Sequence, residues 1–174
     1  MVLFLWSFSD EVAKWGCRVV AVLAEGNIVN IARLGAEGVC ETIPVVMQAH
    51  QNSLHVGGAG CDVIAFMTGG ASSWLSTTLS SPYSAIPSTG GLDNQDHVAL
   101  VPVAVPIVAN GDTSEIEAKS VVMANRFGHG GACEAVIAVL RNHMTHGSSI
   151  VGRASVAISS LSRDVGNARW LGMC

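Results

Sequence analysis

The stretch that decides the predicted fold is Lys119-Ser-Val-Val-Met-Ala-Asn-Arg-Phe-Gly-His-Gly-Gly-Ala-Cys-Glu-Ala-Val-Ile-Ala-Val-Leu-Arg141. Its two apolar segments, Lys119–Ala124 and Ala135–Leu140, have strand length and contain β-branched residues. The glycine-rich segment Gly128–Gly131 between them permits positive φ angles and close backbone approach. We therefore predict a strand, a glycine-rich turn and a second strand, paired as an antiparallel edge of a sheet.

The same type of pattern continues toward the N-terminus. Arg18–Ala24 and Thr42–Met47 are short apolar runs, typical of strands buried on both faces. Ile28–Glu37 has apolar residues at helical spacing, with Asn27 as its N-cap, and a helix rich in small residues is predicted over Gly57–Leu79. Buried strands alternating with helices predict an α/β fold, a layered domain with a mixed central sheet and packed helices.

The segments around this unit are less regular. Ser80–Gln95 is predicted to be a loop, and Val98–Ala109 a strand interrupted by two prolines. After Met144, apolar residues at helical spacing predict an amphipathic helix. The predicted organisation is therefore one α/β domain over residues 1–141 and a C-terminal helical extension over residues 142–174.

The composition is poor in charge. Charged residues make up 13% of the 174 residues, against a typical share of about 25%. Either Gly, Ser and Thr cover the surface, or a large face is buried against a partner. We favour the partner, a homodimer or a complementary subunit, because large obligate interfaces are more apolar than ordinary surface.

Charge and cysteine content limit the functional classes. A net charge of -4 with only two lysines, Lys14 and Lys119, argues against a nucleic-acid partner. The five widely spaced cysteines contain no C-x-x-C and suit a reducing compartment. No signal peptide or run of about 20 apolar residues is visible, so we expect a cytoplasmic protein without membrane association.

Few residues carry a chemical signal by themselves. Gly57–Gly60 could cradle a phosphate at a helix start, but close helix packing is the favoured interpretation. His143 and His146 could share a helical face, yet no acidic or cysteine ligand accompanies them. We predict neither a metal nor a cofactor. His50 and His55 follow a predicted buried strand, where sites gather in α/β folds.

The central stretch resembles the C-terminal part of the β-ketoacyl-acyl-carrier-protein synthases of the thiolase superfamily. Those enzymes carry an Asn-Ser-Phe-Gly-Phe-Gly-Gly loop between two strands, and this chain has Asn125-Arg-Phe-Gly-His-Gly-Gly131. Upstream, Pro87-Ser-Thr-Gly-Gly-Leu-Asp-Asn-Gln-Asp96 and then Leu100-Val-Pro102 are similar to two further family segments. The resemblance covers about residues 18–141 and implies a thiolase-like half-domain.

The resemblance implies a site as well. His55 matches the family's catalytic histidine, and the loop residues implied to bind substrate are Asn125, Phe127, Gly128, His129, Gly130 and Gly131. The chain departs from the family at other catalytic positions. Glu25 stands where a histidine belongs, His50 stands where a lysine belongs, and the half of the family that supplies the nucleophilic cysteine has no counterpart.

Three functional hypotheses follow. The first is a ketosynthase-like domain that binds an acyl thioester or acyl-carrier protein and acts with a partner in acyl-chain condensation, an acyltransferase reaction of fatty acid or polyketide biosynthesis. The condensation needs a cysteine nucleophile and two basic groups, so we expect no activity from this chain alone. The second is a non-catalytic interaction subunit, and the third an unrelated α/β domain that binds a small molecule. A cavity at His55 separates the first two.

Overall fold

The computed structural model describes residues 9–69, 113–145 and 148–173, and over these ranges every regular element is a helix. The eight helices make up 82% of the described residues, among which there is no strand and no sheet. They are α1 (Asp10–Ala24), α2 (Ile28–Ala36), α3 (Val39–Ala49), α4 (Leu54–Met67), α5 (Thr113–His129), α6 (Ala132–His143), α7 (Ser148–Leu161) and α8 (Val165–Leu171).

This architecture overturns the predicted α/β fold. Arg18–Ala24 lies in the second half of α1, Thr42–Met47 lies inside α3, and Lys119–Ala124 and Ala135–Leu140 lie in α5 and α6. The predicted mixed central sheet, and with it the thiolase-like half-domain, is therefore wrong. Short apolar runs occur in buried helices as well as in strands, and here helix packing decides between the two.

The stretch 119–141 forms a helical hairpin instead of a β-hairpin. Its glycine-rich turn is where it was predicted, between α5 and α6, and Gly131 has a φ of +85°. Within Ala135–Leu140 the buried residues are Ala135, Val136 and Val139. Their i, i+1 and i+4 spacing places them on one helical face, so the segment packs as a helix on the core.

Three of the predicted helices are present as helices. The side chain of Asn27 caps α2 by accepting a hydrogen bond from the N–H of Asn30 at 3.0 Å. The helix predicted to start near Gly57 is α4, which begins earlier, at Leu54. The amphipathic helix after Met144 is α7, which buries Ile150, Ala154, Ala157 and Leu161. The predicted loop Ser80–Gln95, the proline-interrupted strand and the upstream family segments lie outside the described residues.

Helix α4 lies at the centre of the core. It contacts α1, α3, α5, α6 and α7. Ten of its 14 residues are buried, and the first two are among the four that are not. Small residues make this possible. A methyl group added at Gly57 would lie 2.9 Å from Val139, and one at Gly60 would lie 2.5 Å from Met47. Neighbouring helices therefore approach α4 more closely than any larger side chain would permit.

Helix α7 belongs to the same core as the helices of residues 1–141. Its buried residues join the single apolar cluster, and it packs on α4, α5 and α6. The predicted boundary at residue 141 stays a prediction. Among the helices that the structure describes, none combines the length and apolar character needed to cross a bilayer.

Candidate functional site

The segment Asn125–Gly131, implied to bind substrate, forms the end of α5 and its turn into α6. Asn125 donates a hydrogen bond to a carboxylate oxygen of Asp164 at 3.2 Å, which ties α5 to the start of α8. Phe127 is fully buried in the core, and His129 is exposed. The segment thus places one of these side chains in the core and another in solvent.

The three glycines of this segment serve helix packing. A methyl group on Gly128 would lie 1.8 Å from the side-chain oxygen of Asn167, and one on Gly130 would lie 2.7 Å from the carbonyl oxygen of Cys40. Gly131 has a left-handed conformation at the residue before α6. Small size and backbone freedom thus bring α5 and α6 against α3 and α8, and the substrate-binding role of these glycines stays a prediction.

His55, the predicted catalytic residue, lies elsewhere. It is the second residue of α4, is exposed, and borders a cavity of about 240 Å³ between α1, α4 and α7. None of residues 125–131 lines this cavity. The lining residues are Lys14, Arg18, Leu54, His55, Gly58, Ala59, Ser149, Ile150 and Arg153.

Charged groups dominate the cavity's polar side. Lys14 forms an ion pair with Glu11 (Nζ to Oε1, 2.8 Å), and Arg153 forms one with Asp62 (2.9 Å). Burial raises the pKa of the Asp62 carboxyl to about 6, although Arg153 and Arg18 nearby lower it. Near neutral pH, two carboxylates therefore face three permanent cations.

Three cations and two carboxylates leave one net positive charge, and Arg18 is the cation without an ion pair among the described residues. Its guanidinium lies over the Trp15 ring, 4.9 Å from the ring centroid, and it forms no ion pair with a residue in the described ranges. The side chain is half-buried. The charge of Arg18 acts on the Asp62 carboxylate from beyond ion-pair distance. A partly desolvated guanidinium that forms no direct ion pair favours a carboxylate or phosphate group from elsewhere.

The start of α4 adds to this positive potential. Ser53 caps the helix by accepting from the N–H of Val56 at 3.5 Å. The first backbone N–H groups of a helix have no partner within it and carry the positive end of the helix dipole. Leu54 and His55, which open α4, both line the cavity. The backbone thus adds positive potential, which the carboxylates of Glu11 and Asp62, and that of Asp10 hydrogen-bonded to the Ser53 side chain, partly offset.

His55 was predicted from the sequence, but the three cations beside it were not. Lys14 and Arg18 are four residues apart and therefore share one face of α1. The strand predicted to start at Arg18 concealed that relation. Arg153 lies on α7, whose contact with α4 is not visible in the sequence pattern.

The described residues include no group of three or more His, Cys, Asp or Glu side chains close enough together to hold a metal ion. The four described cysteines are buried. Burial raises the pKa of the Cys17 thiol to about 12 and that of Cys40 to about 11. Neither is therefore suited to act as a nucleophile near neutral pH.

The known proteins supply no family to set beside this site. Comparisons of the chain with protein-family models, with curated proteins and with solved structures found no match.

Proposed function

We propose that this domain binds a small anion, through a carboxylate or phosphate group, in the cavity between α1, α4 and α7. The observation that supports the proposal is the half-buried Arg18, which has no ion-pair partner among the described residues and lies beside Lys14 and Arg153. An anionic group placed there would accept charge-assisted hydrogen bonds from the guanidinium.

The size of the cavity supports a ligand larger than a bare ion. Its volume of about 240 Å³ is several times the roughly 30 Å³ that one water molecule occupies in the liquid. Leu54, Ala59 and Ile150 provide apolar surface on the same walls. The ligand we propose therefore has an anionic head and a few apolar atoms.

Titration calorimetry with inorganic phosphate, at constant ionic strength set by chloride, tests this proposal. One uncompensated charge in an open cavity predicts a weak Kd of about 1 mM, equivalent to about -4 kcal/mol. Arg18→Gln should weaken binding at least tenfold. The matched control is Arg33→Gln, which removes the same charge from an exposed position on α2 and should leave the Kd unchanged. Equal affinities of the two variants would refute the assignment.

The acyl-thioester hypothesis stays a prediction. Its condensing chemistry requires a nucleophile and two bases, and the cavity offers one imidazole, that of His55, together with permanent cations. The predicted partners stay predictions too: an acyl-carrier protein, a complementary subunit or a second copy in a homodimer. A cytoplasmic location also stays a prediction. Anion binding requires none of these.

A further inference from the structure

The outward face of α1 is apolar. Val12, Trp15, Val19 and Val22 are 49%, 47%, 57% and 49% exposed, and their spacing of three, four and three residues forms one stripe along the helix. The opposite face of α1 is buried in the core. A helix on the surface of a globular protein ordinarily turns polar residues outward, so this stripe requires an explanation.

Part of the stripe forms a groove. A shallow depression of about 400 Å³ is lined by Glu11, Val12, Trp15, Gly16 and Val19, and its surface is almost wholly apolar. Gly16 lies between Val12 and Val19 along the helix and has no side chain to fill the space. The groove therefore has the backbone of α1 as its floor and apolar side chains as its walls.

The groove and the cationic cavity share a border at Trp15. Lys14 Nζ lies 5.2 Å from the centroid of the Trp15 ring, and the Arg18 guanidinium lies 4.9 Å from it. Both cations line the cavity, whereas Trp15 lines the groove. Glu11 holds this border in place, because its Oε1 accepts from the Trp15 indole N–H and pairs with Lys14. Its negative charge offsets part of the attraction for an anion.

We propose that the cavity and the groove together bind a single molecule of an anionic amphiphile. Its carboxylate or phosphate lies at Arg18, and its alkyl chain lies along the stripe. This inference rests on the proposed function and adds the ligand class. From Trp15 to Val22 the stripe is about 10 Å long, and from Val12 to Val22 about 15 Å, by the helix rise per residue. A medium-length chain, such as that of decanoate, suits these lengths.

Charge complementarity selects this occupant. An anionic head meets the Arg18 guanidinium, which forms no ion pair among the described residues, while the alkyl chain covers the apolar groove beside it. An anionic membrane would meet a chain whose net charge is -4, which opposes adsorption. A single dissolved amphiphile can contact both the cationic cavity and the apolar groove.

Calorimetric titration of the full chain with decanoate, hexanoate, decanol and inorganic phosphate tests the inference. The amphiphiles are kept below the concentrations at which they aggregate. A chain covered on one side gains about twofold in affinity per methylene, less than the gain on full burial. Decanoate should therefore bind at least tenfold more tightly than hexanoate. It should also bind at least tenfold more tightly than decanol, which lacks the charge.

Two variants separate the groove from the cavity. Val19→Ser should abolish the difference between decanoate and hexanoate and leave phosphate binding unchanged. Its matched control, Val29→Ser, changes a valine on α2 that is 55% exposed and should preserve that difference. Both valines are exposed, so neither change removes core packing.

The possible outcomes are distinct. If phosphate binds but hexanoate and decanoate bind equally, the amphiphile inference is overturned and the proposed function stands. If no anion binds, both are overturned. If decanol binds as tightly as decanoate, the charged head group contributes nothing to binding, and the inference that Arg18 holds the anionic head is overturned. Binding to vesicles of anionic phospholipid without binding to monomeric decanoate would overturn the inference in favour of a membrane surface.

Discussion

Replacement of Gly130 by alanine tests the packing of the α5–α6 turn against α3. The added methyl carbon would lie 2.7 Å from the carbonyl oxygen of Cys40 and 3.2 Å from the Cα atom of Glu41, whereas ordinary contacts lie at 3.4–4 Å. Both neighbours are backbone atoms, which cannot rotate away as a side-chain end can. The turn must therefore move away from α3 by about 0.7 Å to restore ordinary contact.

Such a displacement has a calculable cost. Overpacking of a filled core costs about 1–3 kcal/mol, and here the upper part of that range applies because Phe127, Ala132 and Cys133 beside the turn are buried. The gain from a less flexible unfolded chain, about 0.4–1 kcal/mol, offsets part of it. The net loss should be about 2 kcal/mol, which lowers the Tm of a chain of this length by about 4–8 °C.

Thermal unfolding followed by far-UV circular dichroism measures the effect. The matched control is Gly58→Ala in α4, where the added methyl would meet Arg153 and Ile150 only at 3.4 Å. Helix propensity should make that variant more stable by up to about 1 kcal/mol. A Tm for Gly130→Ala within about 1 °C of the parent, against the expected 4–8 °C, would refute the close approach of the turn to α3.

Three further predictions concern charge, backbone and thiols. The raised pKa of Asp62, about 6 against an unperturbed 3.8, contributes stability below about pH 4 that is lost as the pH rises through 6. Urea unfolding of the parent and of Asp62→Asn should show this loss of stability only in the parent. The loss should be on the order of 1–2 kcal/mol, because solvent screens a side chain that is 32% exposed. Gly131→Asn should be less destabilising than Gly131→Val, because asparagine tolerates a positive φ and a β-branched residue does not; equal urea midpoints would contradict this. In a Cys174→Ser background, Cys17 and Cys40 should react with a thiol reagent at pH 8 only as the chain unfolds, and a fast phase in the native protein would contradict their burial.

Where the sequence predicted helices correctly, an independent local signal was present. Asn27 caps α2 as predicted, and the spacing from Ile150 to Leu161 identified α7. Helix α1 was missed because it is apolar on two faces. Val19 and Val22 are exposed while Val20 and Ala21 are buried, so the run Arg18–Ala24 shows no polar interval that would reveal its helical period.

Helix α3 was missed as well, because Thr42–Met47 is a short apolar run and was predicted to be a buried strand. Proline is also unfavourable inside a helix, since it has no N–H for the carbonyl four residues earlier. The structure nevertheless places Pro44 within α3. The carbonyl that Pro44 cannot bond is that of Cys40, which Gly130 approaches from the α5–α6 turn. No sequence pattern relates residues 40 and 130, because tertiary packing brings them together.

The candidate site was predictable in part for the same reason. The spacing of Lys14 and Arg18 contains half of the cationic group, once α1 is recognised as one continuous helix. Arg153 enters through the packing of α7 on α4, a contact between segments far apart in the chain. His55 was selected through a family resemblance, yet the neighbours found beside it are the cations Lys14, Arg18 and Arg153.

The glycines of α4 also have a consequence for the order of folding. Gly57, Gly58 and Gly60 each weaken a helix by about 1 kcal/mol relative to alanine, so a 14-residue segment with this composition is not helical on its own. It becomes helical only when its neighbours enclose it, and one of them, α7, begins at Ser148. We infer that the centre of the protein forms last, around a helix stabilised by its surroundings. Val63→Ala should then accelerate unfolding and leave the folding rate nearly unchanged, a φ-value near 0, whereas a value near 1 would place α4 in the folding nucleus.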